Sequence, residues 1–233
     1  MPRILVLLFM LSTMLFSGCS DEKPIRYATA EELSNVLWLP LASNSEWKTP
    51  FCLLADGAVL VAGPGSIATT WSFDAKKPSG FMLFDANGNS RWFAAQFDAN
   101  NTLNISLAGN LSAVCAAQQL VVIPAGTRYN LNYWRSSNKF PTPDDQVYVV
   151  FDYENQIRGF SGVNNFFGGY ELSGQVAVNI NNLASTRRGG PHLAFEQAFL
   201  QELADNINTY LVVGNQLLLY DDTTLVMILD KTN

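Results

Sequence analysis

Histidine is almost absent from this chain: His192 is the only one among 233 residues. That scarcity argues against a zinc site built on imidazoles. Cysteine is nearly as rare, at three residues, Cys19, Cys52 and Cys115. Charged residues make up 15% of the chain and leave a net charge of −6. Lysine and arginine form no cluster, so a nucleic-acid backbone finds no basic patch and nucleic-acid binding is set aside. No Gly-x-Ser-x-Gly elbow opens a helix, and His192 reads as a solvated surface histidine at a helix start. Gly63-Pro64-Gly65 lacks the lysine of a phosphate loop, and Pro64 removes an amide donor; it reads as a turn. Asp144-Asp145 and Asp221-Asp222 lie among turn residues and read as solvated loops. No catalytic residue, cofactor or metal ligand is assigned.

What is present begins at the N-terminus. Arg3 is followed by an apolar run from Ile4 to Phe16, then by Ser17, Gly18 and Cys19. A basic start, a short apolar stretch and a small-residue cleavage site describe a secretory signal, too short to span a membrane. A cysteine directly after Gly18 makes residues 1–18 resemble a bacterial lipoprotein signal peptide. The resemblance implies acylation of Cys19 and cleavage before it. Two or three acyl chains would hold the protein on a membrane, since each buried methylene adds about 0.8 kcal/mol. Ser20 rather than Asp follows the cysteine, which favours the inner leaflet of the outer membrane, facing the periplasm. Removal of Arg3 with the signal makes the chain one unit more negative.

Hydrophobic residues reach 48%, enough for well-filled cores. In an oxidising periplasm Cys52 and Cys115 are expected to form a disulfide; the alternative is two separate buried thiols. Residues 19–27 read as a polar tether. Thr29 reads as the N-cap of a short helix, with Glu31 and Glu32 in its first turn. Beyond it, Ala58–Ala62, Thr69–Phe73, Phe81–Phe84, Arg91–Phe97 and Thr102–Leu107 are short, aromatic or β-branched, and evenly spaced. Asp56-Gly57 and Asn87-Gly88 supply hairpin turns. This rhythm predicts an antiparallel, barrel-like β domain over residues 28–125, closed or nearly so. Leu120–Ile123 reads as its last strand, and Pro124–Gly126 as the boundary. Trp38, Trp47, Trp71 and Trp92 fall in this part, where aromatic residues fill a core or line a barrel mouth for an apolar or sugar ligand.

From Tyr129 the strand signals resume: Tyr129–Trp134, Val147–Tyr153, Ile157–Gly162, Tyr170–Leu172 and Val176–Ile180. The period then changes. Phe195, Phe199, Leu200, Leu203 and Ile207 make the apolar stripe of a helix over residues 192–207, with Pro191 in its first turn and Gly190 as its cap. Tyr210–Val213, Gln216–Tyr220 and Leu225–Leu229 return as strands. The fold class is therefore mainly β, of α+β type.

Gly159-Phe-Ser-Gly-Val-Asn164, Phe166-Phe-Gly-Gly-Tyr170, Leu183-Ala-Ser-Thr-Arg187 and Phe195-Glu-Gln-Ala-Phe-Leu200 occur in order, with Tyr210–Tyr220 after them. Together they resemble the META domain family (HslJ-like) over residues 128–233. The resemblance implies a strongly curved antiparallel sheet packed on one helix, in an envelope lipoprotein linked to stress or antibiotic tolerance, with no established active site. Its signature falls here on Gly159, Gly162, Asn164, Phe166, Gly168, Tyr170, Thr186, Arg187, Glu196 and Phe199, which read as structural. Many members carry a cysteine pair where this chain has Val163 and the Arg188–Gly190 stretch, so a redox role ascribed to that pair does not transfer.

The expected function is non-catalytic: a lipid-anchored envelope protein that binds another envelope component. The alternatives are a carrier of a lipid or other small apolar ligand, or a pilotin-like chaperone for an outer-membrane protein.

Overall fold

The computed structural model describes residues 25–41, 47–65, 68–74 and 76–232. The signal peptide and Cys19 lie outside the described residues. Described residues 26–119 build one antiparallel sheet and 127–231 another.

The first comprises β1 (Arg26–Tyr27), β2 (Val36–Pro40), β3 (Phe51–Leu53), β4 (Val59–Val61), β5 (Ala68–Phe73), β6 (Gly80–Asp85), β7 (Ser90–Phe97), β8 (Leu103–Leu107) and β9 (Asn110–Gln119), with helix α1 (Ala30–Leu33) before β2. Among the described residues the strand order is β4-β3-β2-β9-β8-β7-β6-β5, with β1 added beside β7. The ends of this path meet at a single bridge, Ala58 to Thr70, reinforced by the Trp71 amide donating to the Gly57 carbonyl at 2.8 Å. The sheet is thus nearly closed, with a seam between β4 and β5.

Local chemistry accounts for the turns. Asp56 accepts from the Ala58 amide, and Gly57 takes φ +94°, so the Asp56-Gly57 turn joins β3 to β4. Asp85 accepts from the amides of Asn87 and Asn89 to close the β6–β7 hairpin, with Gly88 at φ +80°. Thr29 and Glu32 form a reciprocal capping box at the start of α1. Arg26 pairs with Glu32 and holds its carboxyl down at about 2.

The second sheet comprises β10 (Thr127–Trp134), β11 (Tyr148–Phe151), β12 (Gln156–Phe160), β13 (Asn165–Ser173), β14 (Ala177–Ser185), β15 (Thr209–Val213), β16 (Gln216–Asp221) and β17 (Thr224–Lys231). It is a closed barrel in chain order. Strands β10 and β17 pair from Tyr129–Lys231 to Trp134–Met227 and shut it. Helix α2 (Leu193–Asp205) lies between β14 and β15 and sends Phe195, Phe199 and Leu203 into the interior cluster. There they meet Tyr129, Trp134, Phe151, Phe166 and Leu217.

The two barrels share one cyclic plan. In the second, α2-β15-β16-β17 continues through the closing seam into β10-β11-β12-β13-β14. In the first, α1-β2-β3-β4 continues through the β4/β5 seam into β5-β6-β7-β8-β9. The order and antiparallel alternation agree, with the chain cut at a different point. The helices do not agree: α1 has 4 residues and α2 has 13.

Strand β16 explains how the barrels join. Leu217 and Leu219 face the second interior, while Leu218 and Tyr220 face outward into a cluster with Leu37, Cys52, Leu54 and Leu60 of the first. A strand buried on both faces reads as the unbroken run Leu217-Leu-Leu-Tyr220. The Tyr220 hydroxyl donates to the Val61 carbonyl across the contact at 3.0 Å. Burial, with Cys52 adding to it, pushes that phenol far above its usual range.

Four sequence expectations about the fold change. Arg26 and Tyr27 are not tether: they pair with Phe97 and Gln96. Leu120–Ile123 is not a strand. Val121 and Val122 are exposed, and Ile123 alone is buried, within the C-terminal cluster. The last strand of the first sheet is β9, whose Asn110–Gln119 stretch is rich in alanine and poor in the β-branched and aromatic residues that mark a strand. Helix α2 is capped at His192, so Pro191 precedes the helix rather than opening it.

The expected disulfide is the fourth correction: Cys52 and Cys115 are free and buried. Both of their strands flank β2, where Cys52 sits opposite Leu37 and Cys115 opposite Pro40. Two strand spacings alone put at least about 9.5 Å between them, beyond disulfide reach. They also face opposite sides of the sheet, Cys52 toward the second barrel and Cys115 into the first interior. Burial pushes each thiol up to about 12. Native protein treated with iodoacetamide at about pH 8 is expected to leave both unlabelled, and unfolding to expose both, as read by peptide mapping. Labelling of either residue in the folded chain would contradict this packing.

Candidate functional site

The signature residues fall into one hydrogen-bonded knot and a set of packing positions. Glu196, in the first turn of α2, is 3% exposed. Its carboxylate accepts from the Asn164 amide at 2.7 Å, the Asn164 side-chain amide at 2.9 Å, and the Ser161 hydroxyl at 2.8 Å. Ser185 adds a longer contact at 3.5 Å. The Asn164 side chain is saturated in turn: its Oδ1 accepts from the Thr186 hydroxyl at 2.8 Å and the Arg188 backbone amide at 2.7 Å, and its Nδ2 also donates to the Arg188 carbonyl. The knot ties the β12–β13 turn, the end of β14 and the start of α2.

Among the described residues no cation pairs with Glu196; neutral donors fill its lone pairs at the positive end of the helix. Gly162 makes the turn, at φ +102°. Gly159 permits close approach: a Cβ there would stand 2.1 Å from the Tyr148 carbonyl oxygen and 2.6 Å from the Phe166 ring. A Cβ on Gly168 would meet Leu183 at 2.7 Å. Tyr170 packs edge-on against Phe151 and donates to the Asp152 carbonyl. Phe166 and Phe199 meet edge-on in the interior. Arg187 stands exposed outside the knot. Ser161 and Ser185 belong to it although the sequence reading passed over them.

His192 is not the solvated residue expected. Its side chain is 13% exposed, with Nε2 3.7 Å from an Asp144 carboxylate oxygen and Nδ1 without a hydrogen-bond partner. The loop after β10 folds over this end of the helix. A shallow cleft of about 380 Å³ lies along that loop, lined by Trp134, Phe140, Asp144, Gln146 and Phe195 among others.

The larger opening is in the first barrel. A cleft of about 590 Å³ runs along the β4/β5 seam, lined by Trp47, Phe51, Leu53, Val59, Val61, Leu83 and Phe93. Trp47 packs edge-on against Phe51 and Phe93 at 5.3 and 5.0 Å between centroids. Lys48, Asp85 and Arg91 border it. Of the other tryptophans, Trp38 and Trp71 are buried and donate their indole N–H groups to the carbonyls of Leu33 and Leu54. They are core; Trp47 lines the opening. Its volume and apolar lining suit a small-molecule site. Among the described residues no group of three or more His, Cys, Asp or Glu residues gathers as a metal site would.

An NMR structure of a protein from Burkholderia xenovorans is similar at 20% identity, covering 50% of this chain and 96% of that one, with a TM-score of 0.40. No curated protein matches. The family model described as META domain matches residues 119–233, the stretch that holds Ile123, the Glu196 knot and the closed barrel. The C-terminal half of this chain is a META domain.

Proposed function

We propose that this protein acts by binding, as a lipid-anchored envelope protein whose N-terminal barrel holds a small apolar ligand and whose META barrel is its rigid support. The observation that carries the reading is the contrast between two barrels of one cyclic plan. The META barrel is filled by α2, whereas the first keeps an aromatic-walled cleft of about 590 Å³ along its seam. A cleft in that size range buries most of a small ligand. The signature residues support scaffolding rather than chemistry, since Glu196 and Asn164 spend their hydrogen bonds on one another, on the Ser161 and Thr186 hydroxyls and on backbone. In this reading acyl chains on Cys19 hold the protein in the inner leaflet of the outer membrane, facing the periplasm, and delivery or retention of the ligand is its task in the envelope.

Native mass spectrometry of protein purified from its own membrane is expected to show a bound small molecule that organic extraction releases. An apo mass throughout, together with exclusion of neutral apolar dyes by the purified chain, would defeat the proposal.

A further inference from the structure

We infer that the ligand of the N-terminal barrel is a single-chain anionic amphiphile, a fatty carboxylate, bound tail-inward with its head group at the mouth beside Lys48 and Arg91. The inference rests on the reading of that barrel as a ligand site and adds the ligand's charge and orientation.

The space has a structural origin. At the matching point of the cyclic plan the META barrel inserts 13 residues of helix, while the first barrel inserts 4, of which Leu33 is buried. The missing helix leaves room for an apolar body. The β4/β5 seam along the cleft is held by one bridge, whereas the matching β10/β17 seam of the META barrel pairs from Tyr129–Lys231 to Trp134–Met227. An entering chain therefore need not break a ladder.

Polarity is graded along the strands. On β7 the residues that alternate inward are Arg91, Phe93, Ala95 and Phe97; the last three are buried, and Arg91 stands exposed at the mouth. On β6, Leu83 pairs with Arg91, and Asp85 follows it on the same face at the rim. Asp85 is already engaged. One oxygen accepts from the amides of Asn87 and Asn89 and the other from the Asn89 side chain, each at 2.9 Å. Those bonds, with Arg91 nearby, hold its carboxyl below the usual range. Arg91 feels Asp85 without forming an ion pair, and Lys48 forms none among the described residues. In a chain of net charge −6, two cations at one apolar mouth select an anion. A carboxylate carried in past the rim would exchange Lys48 and Arg91 for the buried side chains of Phe51, Leu53, Val59 and Phe93, a costly transfer. Tail-in, head-out is the orientation that satisfies both ends.

The test uses the full purified chain, stripped of ligand, with the neutral dye N-phenyl-1-naphthylamine as reporter. Dodecanoate, dodecanol and dodecyltrimethylammonium compete for it below their aggregation thresholds. Dodecanoate is expected to displace the dye at about tenfold lower concentration than the cationic amphiphile, with a preference that weakens as salt rises. The double variant Lys48→Gln/Arg91→Gln, altered only at exposed side chains, is expected to lose that preference while dodecanol competes unchanged. Leu83→Trp, which fills the cleft from one wall, is expected to lower dye uptake. Equal competition by all three amphiphiles would overturn the charge assignment while leaving the apolar site standing. Full dye uptake by a folded Leu83→Trp would overturn the location. Failure of the wild-type chain to take up dye would end both this inference and the function it rests on.

Discussion

Glu196→Ala is expected to destabilise the META barrel by about 4 kcal/mol. The carboxylate is buried and receives three bonds of 2.7–2.9 Å, from the Asn164 backbone, the Asn164 side chain and Ser161. Removing it strands those donors away from water, at about 1–3 kcal/mol for each that finds no replacement. Some relief is built in, because the Ser161 hydroxyl also reaches the Asn164 carbonyl. Asn164 Nδ2 keeps the Arg188 carbonyl. The Asn164 backbone amide has no second partner among the described residues, so it dominates the loss. Glu196→Gln keeps one acceptor and fills the space; about half the loss is expected. Chemical unfolding measures both. Hydrogen exchange at the Asn164 and Arg188 amides adds a local reading, because these protons are protected by Glu196 and Asn164 respectively. If Glu196→Ala left stability and both exchange rates unchanged, the knot would not be what joins α2 to the sheet.

The parts of this arrangement differ in how plainly the sequence shows them. Hairpins at Asp56-Gly57 and Asn87-Gly88 were readable because each needs a residue with positive φ and an acceptor in the turn, and the residue types state both. Helix α2 was readable because Phe195, Phe199 and Leu203 repeat at helical spacing. The cysteines mislead because pairing depends on which face of a strand each occupies. Cys52 and Cys115 fall on opposite faces of one sheet, a fact set by registers that neither neighbourhood encodes. The run Leu120–Ile123 looked like a strand because composition cannot reveal that one of its residues is buried while two valines face water.

The likeness of the two barrels was also present but hard to see. Phe84-Asp85 and Phe151-Asp152 each precede an arginine by the same interval, Arg91 and Arg158, across a turn capped by the aspartate. In the META barrel that pair closes as a salt bridge at 2.8 Å. In the first barrel Asn89 takes the aspartate instead, and the arginine is left to the mouth. Cyclic order hides this relation from a linear reading, because α1 and the three strands after it stand ahead of the hairpin, whereas α2 and its three strands stand behind. Whether an interior is filled is harder still: alternation names the inward residues but not the volume between them, and here a difference in helix length decides it.

That difference suggests how to make one barrel behave like the other. Phe199 is fully buried, stacked on Phe195 and edge-on to Trp134 and Phe166. Phe199→Ala is expected to cost about 3–5 kcal/mol, the transfer term of the ring plus the void it leaves in a closed barrel. The surrounding rings are carried on the strands of a closed barrel, so they can collapse only partly into the space. A closed wall should also keep the void dry and apolar. At temperatures where the variant remains folded, benzene or a similar small neutral solute is therefore expected to raise its melting point but not that of the wild type, through binding to the folded state alone. Leu83→Trp in the first barrel works in the opposite sense, filling space that the fold leaves empty. A loss below about 1 kcal/mol in Phe199→Ala, with no response to benzene, would mean that α2 does not fill the META barrel as a plug, and the contrast between the two interiors would lose its basis.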